Sequence, residues 1–404
     1  MNKVLNWEKE EQADIFVKIL LFFISPFVSF LYSLRRINTK SSYVVFFLFA
    51  IFYGLCFTVL ADNTGEIETS DASRWRFRFE YTNIRTINDY LRYCSEYFKF
   101  GGGEIRDLYF ATVSFFVHQF SDNYHVFFFV IAIVFSFFQL KSLRFLTSSK
   151  HFNNGVACTL LCLFFTLNNI SNIGGFRFWT AAWICVYALL EYYANNRKCF
   201  LALLIILPLI HRGFFFIYPV IVASFFYRWT TVWKFAYFLS FALSGISIYI
   251  IQDATAYLPS SIALMVEAYS QNDITESYSF TKLFLMFLAQ IYVNILFVVM
   301  MNNRPKVLPE STERLYKFTL VFITIVNFII PVPSLGGRFV VLCYSLVAVL
   351  WLNIIGLSRY NYLIYLMPVF MIRKIYVGLN LFLYFQAPSF FFTNPFTLLI
   401  TNLQ

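Results

Sequence analysis

The chain has 404 residues, of which 59% are hydrophobic, 22% are aromatic and only 13% are charged. A soluble globular domain carries about 25% charged residues, so this composition excludes an ordinary water-facing surface and indicates an integral membrane protein. The net charge of +10 is first explained by Lys and Arg in cytoplasmic loops, not by nucleic-acid binding. The seven cysteines are scattered and form no CxxC pair, so neither a zinc site nor a disulfide framework is indicated.

Apolar runs divide the chain into a series of predicted membrane helices. About 20 apolar residues are needed to cross the roughly 30 Å of hydrocarbon in a bilayer, and the runs predict about eleven to thirteen crossings. Arg373 and Lys374 interrupt the last run, which could therefore hold two short spans. Residues 1–404 are therefore predicted to form a single all-α polytopic membrane domain. The runs are 15–34, 43–61, 124–141, 155–171, 177–194, 199–227, 235–251, 280–301, 317–333, 339–356 and 360–387.

The short basic connections predict the orientation of these helices. The positive-inside rule places them in the cytoplasm; they are 35–40, 141–150, 195–198, 228–234 and 302–317. This arrangement requires residues 62–123 to form one large extracytoplasmic loop, in which 106–120 is an amphipathic helix at the interface. If 106–120 crossed instead, the basic connection at 141–150 would lie outside. Residues 252–279 form a second predicted outer loop.

The first outer loop mixes charge with aromatic side chains. Its segment "RWRFRFE" (74–80) alternates three arginines, Arg74 among them, with Trp and Phe. One interpretation is a strand or helix that lies on the membrane with its aromatic residues towards the lipid. The other is a platform for carbohydrate and phosphate, because aromatic faces suit sugar rings and guanidinium groups bind phosphate oxygens in pairs.

Two turns place a permanent charge at the start of an apolar run. Arg177 ends "SNIGGFR" and Arg338 ends "PSLGGR". Glycine allows the backbone to approach a ligand closely, whereas an arginine at a membrane boundary must snorkel or find a partner. Snorkelling would explain one such residue. Two of them on the same predicted face indicate an anion site, to which a helix N-terminus adds its own preference for anions.

The run 199–227 is predicted to be a hairpin rather than one crossing. Each half is too short to cross comfortably at 1.5 Å per residue, and Pro208 weakens the first half. Non-helical backbone within the membrane is tolerated only around a cavity. His211 and Arg212, at the tip, are therefore predicted to line a cavity below the outer surface.

Several segments resemble motifs of the Wzy/EpsG-type polysaccharide polymerases, and they occur in that family's order. They are "SDASRW" (70–75), the helix and span at 106–135, the Asn-rich turn with its Arg at 168–198, "LPLIHRGFFFIYPV" (207–220) and "GGRFVVLCY" (336–344). The resemblance implies a membrane glycosyltransferase (GT-C-like) architecture with an active site on the extracytoplasmic side of a bacterial plasma membrane. It also implies an undecaprenyl-diphosphate-linked oligosaccharide as donor and as acceptor.

The hypothesis that follows is polymerisation of these lipid-linked repeat units. Fixed cations would stabilise the departing diphosphate; the candidates are Arg74, Arg177, Arg212 and Arg338. A base would activate the attacking hydroxyl, with Asp71 as the first candidate, followed by Asp107 and His211. The scheme requires no metal and no cofactor. Its partners are membrane lipid, the two lipid-linked substrates and, in such a pathway, a chain-length regulator and a flippase, but no nucleic acid.

Two rival functions stay open. A transferase that uses a polyprenyl-phosphate sugar would add one sugar rather than make a ladder of chain lengths. A flippase or transporter of lipid-linked sugars predicts symmetric internal repeats and charges at mid-bilayer. The charges in this sequence gather at one predicted face, which suits an enzyme with a lateral entrance for lipid.

Overall fold

The computed structural model describes residues 7–59, 70–98, 107–149, 168–225, 230–244, 280–330, 336–356 and 359–397, together with residues 155, 159, 246, 253 and 257. Most of the predicted loop 252–279 and most of the predicted span 155–171 lie outside the described residues. The described part of the chain is helical and contains no strand, which confirms the predicted all-α class.

The first half of the chain forms helices α1 (Gln12–Ile24), α2 (Pro26–Ser33), α3 (Lys40–Leu55), α4 (Asp71–Tyr81), α5 (Ile87–Phe98), α6 (Tyr109–His118), α7 (Tyr124–Thr147) and α8 (Phe176–Leu189). The second half forms α9 (Leu201–Ile210), α10 (Ile217–Phe225), α11 (Thr230–Leu243), α12 (Phe280–Asn303), α13 (Glu310–Ile329), α14 (Gly336–Ile354), α15 (Tyr362–Tyr365), α16 (Met367–Phe370) and α17 (Ile372–Tyr384). Short 3₁₀ turns are Leu34–Arg36, Ile170–Gly175, Lys198–Phe200, Arg212–Phe216, Arg359–Asn361 and Pro388–Phe391, and a π-helical turn covers Leu190–Ala194.

Three helical stretches in the described part of the chain are long and apolar enough to cross a membrane. They are Tyr124–Thr147, Ile170–Ala194 and Gly336–Ile354. A fourth results if Tyr362–Phe370 and Ile372–Tyr384, which meet at 60°, count as one bent span. These helices agree with a membrane protein. The figure of eleven to thirteen crossings stays a prediction, because other apolar helices, such as Lys40–Leu55, are shorter than a full span.

The apolar run 15–34 is not the single span that the sequence predicts. Ser25 adopts extended backbone between α1 and α2, and Pro26 begins α2. The chain then folds back, because Ser29 Oγ donates to the Lys18 carbonyl at 2.7 Å and Tyr32 Oη donates to Asp14 Oδ1 at 2.9 Å. Hydropathy alone does not distinguish such a helical hairpin from one continuous helix.

Close contact between α3 and α7 anchors the first half of the bundle. A Cβ atom at Gly54 would lie 2.5 Å from Ala132 Cβ and 2.8 Å from the Phe128 carbonyl oxygen. Small residues at such crossings let two helix backbones approach within van der Waals contact, which replaces the hydrophobic drive that is missing in lipid. The pair therefore forms a rigid base beneath the segments that connect α3 to α7.

The described part of this connection contains the helices α4, α5 and α6. α4 begins where Ser70 Oγ accepts a hydrogen bond from Ser73 N–H at 3.2 Å, in the manner of an N-cap. α6, with ten residues, is about 15 Å long at 1.5 Å per residue. A helix of that length cannot cross the hydrocarbon layer, which favours the interpretation of 62–123 as one loop on one side.

A buried amide cluster joins α11, α12 and α13. Asn327 Nδ2 donates to Asn294 Oδ1 at 2.8 Å, and Asn327 Oδ1 accepts from Asn294 and Gln290 at 3.0 and 3.2 Å. Tyr237 Oη donates to Asn294 Oδ1 at 2.7 Å. Polar groups in an apolar bundle must be paired internally, so this cluster fixes the relative positions of the three helices.

We expect Asn327→Leu to lower the free energy of unfolding in detergent by about 1–3 kcal/mol, because it leaves buried amides of α12 unpaired. The matched control is Asn353→Leu, since the exposed Asn353 bonds only to the Val349 carbonyl of its own helix, at 2.9 Å. Thermal unfolding monitored by circular dichroism measures both variants. Equal midpoints for the two would contradict a structural role of the cluster.

Candidate functional site

The chain reverses direction at His211, as the sequence predicts. α9 ends at Ile210, His211 is extended (φ −154°, ψ 119°), and the turn Arg212–Phe216 leads into α10. Tyr218 Oη donates to the Ile205 carbonyl, although a continuous helix would separate the two residues by about 20 Å. The hydrogen bond therefore requires a hairpin with His211 at its tip.

Three helices begin with cationic side chains in their first turn. Arg177 is the second residue of α8, which directly follows the 3₁₀ turn Ile170–Gly175, Arg338 is the third described residue of α14, and Arg373 and Lys374 are the second and third residues of α17. A helix N-terminus carries about half a positive charge, so acidic residues are favoured there and basic ones are not. Basic residues nevertheless occur in the first turn of all three helices, which indicates a function for their charges.

The three helix N-termini lie together at one end of the bundle. Phe178 and Phe339, one residue after each arginine, have ring centroids 5.6 Å apart, and Phe214 of the hairpin lies 5.1 and 5.4 Å from them. Lys374 Nζ donates to the Gly337 carbonyl at 3.3 Å, which brings α17 to α14. These three aromatic rings form an apolar surface next to the cationic residues.

Gly336 allows the backbone of α13 to lie in contact with the turn that carries Arg338. A Cβ atom at this position would lie 2.3 Å from Ile330 Cα and 2.5 Å from the Ile329 carbonyl oxygen. Because those atoms belong to the backbone, they cannot yield to a side chain. The glycine thus lets the first described turn of α14 lie directly against the end of α13, and the Arg338 guanidinium lies 5.2 Å from the Phe178 ring.

Asp107 forms an ion pair with Arg177 across 70 residues of sequence. Its carboxylate is buried, and its Oδ1 accepts a hydrogen bond from Phe110 N–H in the first turn of α6 at 3.1 Å. Burial raises the pKa of the Asp107 carboxyl above its ordinary value, and the neighbouring Arg177 guanidinium opposes this rise. Arg177 also lies 3.9 Å from the Trp75 ring, so its orientation is set from two sides.

His211 faces the two arginines in its neutral form. Its ring lies edge-on to Phe178 at 5.2 Å, and the Leu108 N–H donates to the Leu209 carbonyl at 2.8 Å, which ties the hairpin to the Asp107 segment. The positive charges of Arg177 and Arg338 act on the ring. Gly213 N–H donates to Nδ1 at 3.1 Å, so the ring proton resides on Nε2, which can donate to an anion.

The other predicted site residues, Arg212, Asp71 and Arg74, make no side-chain contact with Asp107, Arg177, His211 or Arg338 among the contacts described above. The Arg212 guanidinium lies 5.6 Å from the Tyr97 ring. Asp71 and Arg74 form an ion pair with each other in the first turn of α4, with 49% and 60% of their side chains exposed. The structure therefore brings together Arg177, Arg338, Asp107 and His211, whereas the roles predicted for Asp71 and Arg74 stay predictions.

Two cations of the site were missed by sequence reasoning. Arg78 lies 4.9 Å from the Trp75 ring and acts electrostatically on Asp107. Lys374 reaches the start of α14 from the bend at Met371. The signal for Arg78 was helical phase, because residues three apart share a helix face. The signal for Lys374 was its position in an otherwise apolar run, where an ionisable residue is a functional candidate.

We call Arg78, Arg177, Arg338 and Lys374, with Asp107 and His211 between them, the cationic cluster. Within the described residues Arg338 and Lys374 have no acidic partner in an ion pair. The positive charges thus outnumber the single carboxylate, and the cluster can bind a ligand with at least two negative charges. Comparison of the chain with protein-family models, curated proteins and solved structures gives no match.

We expect a double-mutant cycle on Asp107→Asn and Arg177→Gln to show strong coupling. Removing one partner leaves a buried charge unpaired, which costs about 3–5 kcal/mol, so the double variant should lose less stability than the two singles together. The control cycle is Asp71→Asn with Arg74→Gln, where exposure limits the coupling to about 1 kcal/mol or less. Unfolding by denaturant measures both cycles, and additivity at Asp107 and Arg177 would exclude a functional pair.

Proposed function

We propose that the protein is a membrane glycosyltransferase of the Wzy/EpsG type, which polymerises oligosaccharide repeat units carried on undecaprenyl diphosphate. One observation carries the proposal: three helices direct first-turn cations to one end of the bundle. A diphosphate has the charge and the oxygen geometry that such residues recognise. The resemblance of several short segments to motifs of that family supports the same assignment.

The chemistry of the step explains why the cations are fixed. The hydroxyl oxygen of the acceptor sugar attacks the anomeric carbon of the donor, the bond from that carbon to the phosphate oxygen breaks, and the diphosphate leaves with the electron pair. Negative charge on the diphosphate grows as the bond breaks, so donors held in place beforehand stabilise the transition state most. Arg177 and Arg338 would supply this stabilisation, and His211 would donate from Nε2.

The proton of the attacking hydroxyl requires an acceptor. Both oxygens of Asp107 are engaged, one by Arg177 and one by Phe110 N–H, which favours Asp107 as a residue that positions Arg177. The Nδ1 atom of His211 is occupied by Gly213 N–H. Asp71 therefore remains the first candidate for the base, since only one oxygen of its exposed carboxylate pairs with Arg74 within the described residues and it begins the helix that carries Trp75 and Arg78.

The proposal includes a location and partners. The basic connections predict that the cationic cluster faces the extracytoplasmic side of a bacterial plasma membrane, in a GT-C-like arrangement with 62–123 as the first outer loop. Lipid-linked donor and acceptor would enter laterally from the membrane. A flippase would deliver them, and a chain-length regulator would set the size of the polymer.

The direct test is to incubate the purified protein with the lipid-diphosphate oligosaccharide from its own cells and to size the products by gel electrophoresis. We expect a ladder of chain lengths from the wild-type protein. Arg177→Lys and Arg338→Lys should each lower the rate by about a hundredfold or more, because lysine keeps the charge but loses the paired donors.

The matched control is Arg92→Lys, since Arg92 is 70% exposed and, among the described residues, pairs only with Asp89 one turn away on α5. We expect this variant to keep the rate of the wild-type protein. Products that carry one added sugar would assign the protein to the single-sugar transferases. Wild-type rates in both Arg177→Lys and Arg338→Lys, at normal protein level, would remove the diphosphate-binding role.

Lys374 offers a second, independent test of the cationic cluster. We expect Lys374→Met to slow polymerisation at least tenfold and Lys374→Arg to retain more of the rate, because the charge beside Gly337 is preserved. Lys141→Met serves as the control, since Lys141 lies on α7 with its Nζ 5.3 Å from the Phe137 ring. Equal rates for the two Lys374 variants would show that its charge does not act on the substrate.

A further inference from the structure

Helix α5 presents a face of tyrosines towards the cationic cluster. Tyr90, Tyr93 and Tyr97 follow one another at spacings of three and four residues, so they share one side of the helix. The exposed apolar residues Ile87, Leu91 and Phe98 lie on a neighbouring face of the helix. The tyrosine hydroxyl groups thus lie on a different face of α5 from its exposed aliphatic residues.

Two of the three tyrosines border the cluster directly. Tyr93 Oη donates to the Asp107 carbonyl at 3.5 Å, and Tyr97 Oη donates to the Pro208 carbonyl at 3.3 Å, beside the hairpin tip. The charges of Asp107, Arg78 and Arg177 act on the Tyr93 hydroxyl. Both side chains are only half-buried. Their long hydrogen bonds can be exchanged for shorter ones to a bound ligand.

Tyr90 differs from its two neighbours. Its hydroxyl lies 3.0 Å from Thr112 Oγ1, and its ring stacks on Phe115 with centroids 5.1 Å apart. Both contacts are with α6, so Tyr90 fastens α5 to the bundle. It is therefore a matched control, on the same helix and the same face, for a role of the other two.

We propose that Tyr93 and Tyr97 form a saccharide subsite that holds the sugar attached to the lipid diphosphate. Tyrosine combines an apolar ring, which packs on the C–H face of a sugar, with a hydroxyl that both donates and accepts hydrogen bonds. The two side chains are uncharged, so they suit a polyol rather than a further phosphate. The inference rests on the proposed function, because it assumes that the cationic cluster binds the diphosphate.

The location fits this ligand. The sugar is bonded directly to the diphosphate, so its subsite must border the groups that bind phosphate oxygens. Tyr93 adjoins the pair formed by Asp107 and Arg177, and Tyr97 adjoins Arg212. Of the aromatic residues that the sequence suggested for this role, in "RWRFRFE", Trp75 and Phe79 are buried in the core, whereas Phe77 is exposed and its ring lies 4.5 Å from that of Tyr81.

The experiment compares the binding of two lipids to the intact protein in detergent, by native mass spectrometry. One is undecaprenyl diphosphate, and the other is the lipid-diphosphate oligosaccharide extracted from the cells that produce the protein. We expect the wild-type protein to bind the second lipid at least tenfold more tightly. The variant Tyr93→Phe/Tyr97→Phe should weaken that binding by about tenfold to thirtyfold, the effect of two lost hydrogen bonds.

The same variant should leave the affinity for undecaprenyl diphosphate within twofold, and Tyr90→Phe should leave both affinities unchanged. Equal losses for the two lipids, no loss for either, or a wild-type protein that does not distinguish them would overturn the saccharide subsite and leave the proposed function intact. A wild-type protein that binds neither lipid would instead overturn the proposed function itself.

Discussion

Electrostatic repulsion between cationic side chains at one end of the bundle is the constraint on which the rest of the site depends. α8, α14 and α17 each add a cationic side chain to an N-terminus that is already positive. Like charges next to an apolar surface repel more strongly than they would in water, because the local dielectric constant is low. Stability given up in this way is typical of functional sites, and an anionic ligand would recover it. The cost therefore explains why the ligand must carry several negative charges.

The backbone around these charges leaves them little freedom to move apart. Gly336 lets the first described turn of α14 lie against the end of α13, and the chain reverses at His211 so that Phe214 reaches Phe178 and Phe339. The rings of Phe178, Phe214 and Phe339 then contact one another below the charged groups. Packing of this density has few alternative arrangements. The core thus fixes the positions of the charged groups despite their repulsion. Donors that are fixed in this way need no reorganisation during a reaction.

The sequence predicts the features of this site that lie within one short segment. It does not predict the contacts between segments that are far apart in sequence. Gly-Gly-Arg turns, a proline-weakened run with His211 at its centre, and a basic interruption in the last apolar run are visible in the residues themselves. The pair of Asp107 with Arg177 joins segments 70 residues apart, and no spacing rule connects them. Arg78 rather than Arg74 approaches Asp107 because α4 is a helix whose Trp75 faces inwards. The hairpin of α1 and α2 escaped prediction because hydropathy measures composition, not direction.

A carboxylate in a site for anions needs an explanation of its own. Asp107 lowers the repulsion between Arg177 and its neighbours while no ligand is bound, yet it could also compete with that ligand. The contact joins one carboxylate oxygen to Nη1 of Arg177, and a guanidinium group has five N–H donors in a fixed plane. Donors of Arg177 therefore remain for phosphate oxygens, and their direction is fixed by Asp107 on one side and the Trp75 ring on the other. In this arrangement the acid does not neutralise the site; it orients the cation that the site presents.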